Sequence, residues 1–451
     1  MRDWLVRRTP RQILAATFAS FLVYSWPGFI GWDSREHLLH ARRGIFGDAH
    51  PPAVAWLWRI VELVVAGPAG MLLVQAIPLL AGLYLIFRHR LAARPAAVAA
   101  SIVFLFPVVS GVTALICKDA LMAGFVILGI GLLLHGHLRF ALLALFVGSL
   151  MRWNSFPATF GPIVLLLQLR PSFTGWRRYG SAFVVWLAIT IGALEVNEAI
   201  TVTPEYSWFE THAIEDIAGT LQYMDDLDDA TLNRILDGVP MKIHDHVHAT
   251  FRARYDCSDY RQLIWGPNRI VDKPRSDGER AAIERAWKEL VFDNPSAYLK
   301  FRLDNFKLLT SVDRRPSFSN VYIWFSVIAA PETIEELNHD AAGSHVQDRM
   351  REAMQWISLT PVFFTFVYLG LCLLLLPFAK RLELALLLSA MGYELAWFFF
   401  APTSDARYSQ WMVLCCVSVI ALYVARQLAR RVAIAAAAPS TAVATSHSDS
   451  R

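Results

Sequence analysis

The chain has 451 residues, 42 of them basic and 38 acidic, so 18% carry charge, against about 25% in an ordinary soluble domain. Hydrophobic residues make up 55% and the mean hydropathy is +0.39, which excludes a disordered, collagen-like or disulfide-stapled chain and implies a solvent that is partly lipid. The net charge of +4 is modest and suggests no nucleic-acid partner, and the five Cys, with Cys415 and Cys416 adjacent in an apolar run, make no disulfide framework.

In chain order, apolar stretches fall at 13–30, 70–87, 96–116, 120–135, 140–151, 156–169, 181–199, 356–379, 383–400 and 409–425. They predict an all-α membrane protein, a polytopic bundle of about ten transmembrane helices at roughly 20 residues per crossing. Basic residues recur on alternate connections. Arg2, Arg7, Arg8 and Arg11 precede the first stretch; then come Arg88, Arg90 and Arg94, Arg139, Arg170 with Arg177 and Arg178, Lys380 with Arg381, and Arg426 with Arg430 and Arg431. The positive-inside rule therefore predicts cytoplasmic termini and a multi-pass protein of the plasma (inner) membrane. The stretches at 140–151 and 156–169 are short for a full crossing, which either sets the turn between them below the outer surface or has the spans tilted or extended by their neighbours.

This reading divides the chain into an amino-terminal transmembrane module at 1–199 with a first outer loop at 31–69, and a mostly helical outer-face (periplasmic) domain at 200–355 between the seventh and eighth spans. Transmembrane helices at 356–431 and a disordered Ala-, Ser- and Thr-rich tail at 432–451 follow. In the outer domain Asn294-Pro295 predicts a helix start, followed by a helix suited to lying at lipid headgroups or to packing on its own domain. Residues 321–330 are apolar but too short to span, so they are read as interfacial or core.

Charged residues gather on the predicted outer side: Asp33, Glu36, Asp48 and His50 in the first loop, Lys118 and Asp119 in the second, Arg152 with Asn154 in the third, and Asp405, Arg407 and Tyr408 in the last. Charges beside membrane spans are costly and persist when paired or functional. Carboxylates and cations from several short loops suit an anionic lipid headgroup and a hydroxyl nucleophile.

Trp32-Asp33-Ser34 after the first span, His50-Pro51-Pro52 before an apolar helix, Lys118-Asp119, Arg152-Trp153-Asn154 and Asp405-Ala406-Arg407-Tyr408, in this order and on one side, resemble the GT-C superfamily of polytopic glycosyltransferases. That group includes the protein O-mannosyltransferases and the aminoarabinose transferases that modify lipid A. The resemblance implies transfer of a sugar from a polyprenyl-phosphate carrier to a lipid, glycan or protein acceptor at the outer face, with inversion. It gives Asp33 as catalytic base, Asp119 as second acid, and Lys118, Arg152 and Arg407 as donor-phosphate ligands. His50, Asn154, Asp405, Tyr408 and Glu36 would support them, and Asp33 with Asp119 could hold a divalent cation such as Mg or Mn. The chain departs from the group in lacking an Asp-Glu pair: Ser34 follows Asp33, and Glu36 reads as part of a capping arrangement with Asp33 as the cap.

Each residue also has a plainer reading: Asp33 as a helix cap, Lys118-Asp119 as a solvated turn, Arg152 as a snorkelling anchor, Arg407-Tyr408 as part of an interfacial belt, and His50 as a structural group before two prolines. His244, His246 and His248 alternate and on a strand would share one face, a metal-ligand spacing, though Asp245 and its polar neighbours suit an exposed loop; Asp225, Asp226, Asp228 and Asp229 read as a solvated loop. Rival functions are an O-antigen ligase or polymerase resting on Arg and His of the large outer loop, a transporter or flippase, and a non-catalytic scaffold.

Overall fold

A computed structural model describes residues 8–256, 261–312 and 344–437. Arg2, Arg7, the apolar run at 321–330 and the end of the tail lie outside the described residues, as do the side chains of Arg430 and Arg431. Among the described residues the protein is all-helical, and its strand-like contacts are isolated bridges.

The amino-terminal half comprises α1 (Pro10–Ser25), α2 (Trp32–Arg43), α3 (Pro52–Glu62), α4 (Pro68–Arg88), α5 (Ala93–Phe104), α6 (Pro107–Ala114), α7 (Lys118–Leu134), α8 (Leu138–Leu150), α9 (Phe156–Leu166) and α10 (Gly175–Ile200). A π-turn at Trp208–His212 leads into α11 (Ala213–Leu221), α12 (Asp229–Ile235), α13 (Val247–Arg254), α14 (Arg261–Ile264), α15 (Asp277–Asp293) and α16 (Pro295–Leu309). The chain then continues through α17 (His345–Ser358), α18 (Thr365–Leu375), α19 (Arg381–Phe400), a 3₁₀ turn at Ala406–Ser409 and α20 (Gln410–Ala437).

Four segments are long and apolar enough to cross a bilayer: Pro68–Arg88, Gly175–Ile200, Arg381–Phe400 and Ala406–Leu428. The stretch at 96–116 is not one straight helix. Pro107 forces the preceding Phe106 into an extended conformation, and α5 and α6 meet at 68°, so together they make a fifth candidate span. Helices α8 and α9 have 13 and 11 residues, about 20 and 17 Å at 1.5 Å per residue, against a hydrocarbon core of about 30 Å. In α10 only 17% of the most apolar window is buried, and Phe183, Val184, Leu187, Ile191 and Leu194 lie open, as on a helix whose solvent is lipid.

Glycines set the tightest seam, between α4 and α7. A Cβ at Gly82 would come within 2.4 Å of the Leu128 amide nitrogen, and one at Gly124 within 2.6 Å of the Gln75 carbonyl oxygen. The main core packs around this seam, with Leu72, Leu79, Leu83, Leu121 and Ile127 fully buried. The outer segment has its own core, built from Ile217, Leu221, Leu232, Phe251 and Ile283.

Several expectations for the outer segment change. Helix α16 has Pro295 in its first turn, but Asn294 bonds back to the Leu290 carbonyl and does not cap it. Its buried face packs between α11 and α19, with Arg302 paired to Asp216 and donating to the Ala401 carbonyl at 3.1 Å. The headgroup alternative therefore gives way to packing within the fold. His244, His246 and His248 do not share a strand face: His246 has a left-handed backbone and the chain turns helical at Val247. Asp228 and Asp229 are structural rather than merely solvated, accepting from Thr231 N and from His246 N and Val247 N respectively. Helix α20 continues past Arg431 to Ala437, through alanines that favour helix.

Candidate functional site

Two loops at one end of the bundle are zipped together by backbone. Phe29 N donates to the Ala114 carbonyl at 2.8 Å and Ile116 N to the Phe29 carbonyl at 2.9 Å. Ser34 completes the joint, its Oγ accepting from Gly31 N at 3.1 Å and donating to the Ile116 carbonyl. The cap of α2 is thus Gly31 closed by Ser34, not Asp33 closed by Glu36. Freed from capping, Asp33 stands in the first turn of α2, directly beside the start of α7.

As a result Lys118 Nζ lies 3.2 Å from Asp33 Oδ2 and 2.7 Å from His50 Nδ1. The other ring nitrogen of His50 faces Glu36 Oε2 at 3.6 Å and Asp33 Oδ1 at 3.9 Å. From the far end of the chain, Arg407 Nη1 reaches the same Asp33 Oδ2 at 2.9 Å, while its Nε pairs with Asp405 Oδ2 at 2.9 Å. Asp405 also accepts from Arg407 N at 3.0 Å, so the 3₁₀ turn aims the guanidinium. The side chains of Asp33, Lys118 and Arg407 retain 18%, 12% and 11% exposure.

A second ion pair lies deeper. Arg152 Nη1 meets Asp119 Oδ1 at 2.5 Å, both nearly buried, and Arg152 Nε donates to Asn154 Oδ1 at 2.9 Å. Its guanidinium lies 4.7 Å from the Trp397 ring centre and 5.3 Å from that of Tyr408, and these two rings stack at 4.3 Å. Every residue singled out in the sequence for the site therefore joins one of two adjacent groups: Asp33, Glu36, His50, Lys118, Asp405 and Arg407 in the first, Asp119, Arg152, Asn154 and Tyr408 in the second.

The electrostatics of the first group follow from its geometry. Burial opposes ionisation of Asp33, but Arg407 and Lys118 override it and hold the carboxyl well below the usual range. A hydrogen bond to His50 lowers Glu36. Burial, with the charges of His50 and Lys118, keeps His37 well below its ordinary value and therefore neutral.

Sequence reasoning missed His37, one helical turn after Asp33 and 5.0 Å ring to ring from His50; the i, i+4 spacing on a helix was its available signal. It also missed Trp397, whose Nε1 donates to the Tyr408 carbonyl, and Glu205, which lines a small pocket with Glu36, His37, His40 and His50. Asp48 belongs to the scaffold, accepting from Glu205 N at 2.5 Å and Tyr206 N at 3.0 Å.

The divalent ion anticipated at Asp33 and Asp119 does not suit this donor set. Each carboxylate is already matched by cationic side chains, and among the described residues no three His, Cys, Asp or Glu converge as metal ligands. What the first group offers is one carboxylate oxygen shared by two cations, where an arriving anion competes for the cations and a hydroxyl finds a base. Comparison of the chain with protein-family models, with curated proteins and with solved structures finds no match.

Proposed function

We propose that the chain is a polytopic glycosyltransferase of the GT-C type that moves a sugar from a polyprenyl-phosphate carrier to an acceptor at the outer face of the plasma membrane, with Asp33 as general base. In this reading the chain crosses the membrane about ten times, both termini are cytoplasmic, and the short or bent helices cross as tilted or broken spans. The observation that carries the proposal is the meeting of Lys118 and Arg407, from separate loops, on one oxygen of Asp33. A lipid-borne donor fits a partly open charged cluster beside apolar helices, since nucleotide sugars belong to the cytoplasm.

The acceptor hydroxyl attacks the anomeric carbon. The new carbon–oxygen bond forms on the face opposite the phosphate as the bond to phosphate breaks, and the hydroxyl proton passes to Asp33. The polyprenyl phosphate leaves with the bonding electron pair, its charge met by Lys118 and Arg407. A donor phosphate seated on these cations draws them from Asp33 and raises its basicity, coupling donor binding to activation of the acceptor. His50, braced by Glu36, holds Lys118; Asp405 and the Tyr408 ring hold Arg407; and the Arg152–Asp119 pair, with Asn154 on Arg152, packs beside them.

The ligase reading needs an accessible histidine in the outer segment. His244 and His246 are exposed and remain available to it, whereas the buried His248 accepts from Leu227 N at 3.0 Å and bonds the Leu221 carbonyl at 2.7 Å, as a core residue does. The proposal is tested with purified Asp33→Asn in proteoliposomes carrying a polyprenyl-phosphate hexose. Transfer should fall by about 10²–10⁴-fold while the variant still folds and binds donor, whereas full transfer by this variant overturns the mechanism. Mass spectrometry of cell-envelope glycans with and without the gene identifies sugar and acceptor.

A further inference from the structure

The outer segment carries a second cavity, of about 490 Å³, within the span of about 300–1,000 Å³ usual for small-molecule sites. Its floor is the indole of Trp265, which is 47% exposed, although the segment has a core that could have absorbed it. Lys273 Nζ stands 4.6 Å over the ring and is held there by Glu210 at 2.7 Å. On the opposite wall Arg269 pairs with Asp272 at 2.5 Å, and Lys242 reaches the same carboxylate at 3.5 Å. Arg275 also lines the cavity, and its backbone N–H donates to the Glu279 carboxylate at 2.5 Å.

The backbone makes this a built site. Ile270 N and Val271 N both donate to the Leu263 carbonyl, and Asp272 N donates to that of Pro240, so the walls on either side of Trp265 are pinned to one another. A half-exposed indole, with Lys273 over its ring and carboxylates and further cations around it, matches a sugar, whose ring has an apolar C–H face and a rim of hydroxyls that both donate and accept. Along the lining the cations Arg269, Lys273 and Arg275 outnumber the carboxylates Glu210 and Asp272, and Lys242 adds a further cation on Asp272, so positive charge is in excess for an anionic group on the ligand.

The chain links the cavity to the neighbourhood of the Asp33 cluster: Glu205, just before Glu210 in sequence, lines the small pocket with Glu36 and His50, and Glu210 pairs with Lys273 in the cavity wall. We propose that the Trp265 cavity binds an acidic saccharide, and, resting on the transferase reading above, that this saccharide is the acceptor presented to Asp33.

The test uses the full-length chain in detergent micelles and saturation-transfer NMR, with no donor present. The probes are a tetrasaccharide of alternating glucuronate and N-acetylglucosamine, its neutral N-acetylglucosamine counterpart, and a neutral tetrasaccharide carrying one phosphate monoester. The acidic probes should bind, and Trp265→Ala and Arg275→Ala should each weaken them by about tenfold. Arg275→Ala should leave the weaker binding of the neutral probe unchanged. Both residues are exposed, so thermal stability should not move, and Lys273→Gln gives an independent third variant. A larger loss for phosphate or for glucuronate in Arg275→Ala tells which anion is read. Binding of no acidic probe, or binding indifferent to all three substitutions, overturns the proposal. Asp33→Asn should bind as the unsubstituted chain does, so a saccharide site that survives while transfer fails separates this inference from the transferase reading.

Discussion

Asp33 and Arg407, from the first and last loops of the bundle, share a 2.9 Å ion pair on the oxygen that also receives Lys118. The contact closes the bundle end to end, because α2 follows the first apolar stretch and the 3₁₀ turn precedes the last helix. Removing one partner of a poorly solvated pair leaves an uncompensated charge. Arg407→Gln should therefore lower thermal stability in detergent by the equivalent of about 1–3 kcal/mol, softened by the remaining Lys118. Adding Asp33→Asn should recover part of the loss; strictly additive losses in the double-mutant cycle would show that the two groups do not interact.

The α4–α7 seam gives a sharper stability test. Gly124→Ala drives a methyl against the Gln75 carbonyl and should cost about 1–3 kcal/mol, whereas a Cβ at Gly111 meets nothing within 4 Å and Gly111→Ala should be neutral or slightly stabilising. Thermal unfolding of the two variants, measured side by side, checks the contrast; equal midpoints would contradict the close approach.

Asn197 joins three helices. Its Oδ1 accepts from Ala53 N at 3.1 Å at the start of α3, and its Nδ2 donates at 3.0 Å to the Leu150 carbonyl at the end of α8 and to that of Ala193 in its own helix, α10. Asn197→Leu keeps the volume but strands the buried Ala53 N–H and the Leu150 carbonyl, and should destabilise by about 1–3 kcal/mol per orphaned group. Faster hydrogen exchange at Ala53 is the specific readout.

Outside the candidate spans, burial pushes the Glu215 carboxyl well above its usual range, opposed by Arg302 and reinforced by Asp216. The folded protein therefore holds the Glu215 proton more tightly than the unfolded chain. Stability from this group is complete below the unfolded value of 4.5 and is lost as pH rises through the folded value. Thermal unfolding from about pH 5 to about pH 8 should show this decline, and Glu215→Gln should flatten it; an unchanged slope would remove Glu215 as its source.

Sidedness is open to direct labelling. In a cysteine-free background, Trp32→Cys and Trp265→Cys should react with an impermeant maleimide from one side of sealed membranes, and Trp176→Cys from the other. All three parent residues are well exposed. Labelling of all three from the same side would refute the topology.

Much of this architecture is written in local sequence. Apolar runs, prolines at first helical turns and basic residues on alternate connections suffice to predict a helical, lipid-compatible chain, because hydropathy and proline sterics act over a single turn or span. The site residues were legible for the same reason: Asp33, Lys118, Arg152 and Arg407 stand at helix starts and turns, where charge beside an apolar run is conspicuous. At His244 to His248 the exposed loop holds for residues 244–246, but alternation alone cannot reveal that Asp229, on a separate helix, captures the amides of His246 and Val247 and starts a helix that buries His248.

Tertiary structure alone decided which charges meet. No spacing in the chain brings Arg407 to Asp33, and none divides the cluster into an open Asp33 group and a buried Asp119–Arg152 pair. Ser34 took the cap and the bond to Ile116 that left Asp33 free, and the Gly82 and Gly124 contacts let α7 approach closely enough to deliver Lys118. Composition and periodicity govern each segment's preferred solvent and shape, whereas ion pairing depends on distances of a few ångströms that exist only once the helices have packed.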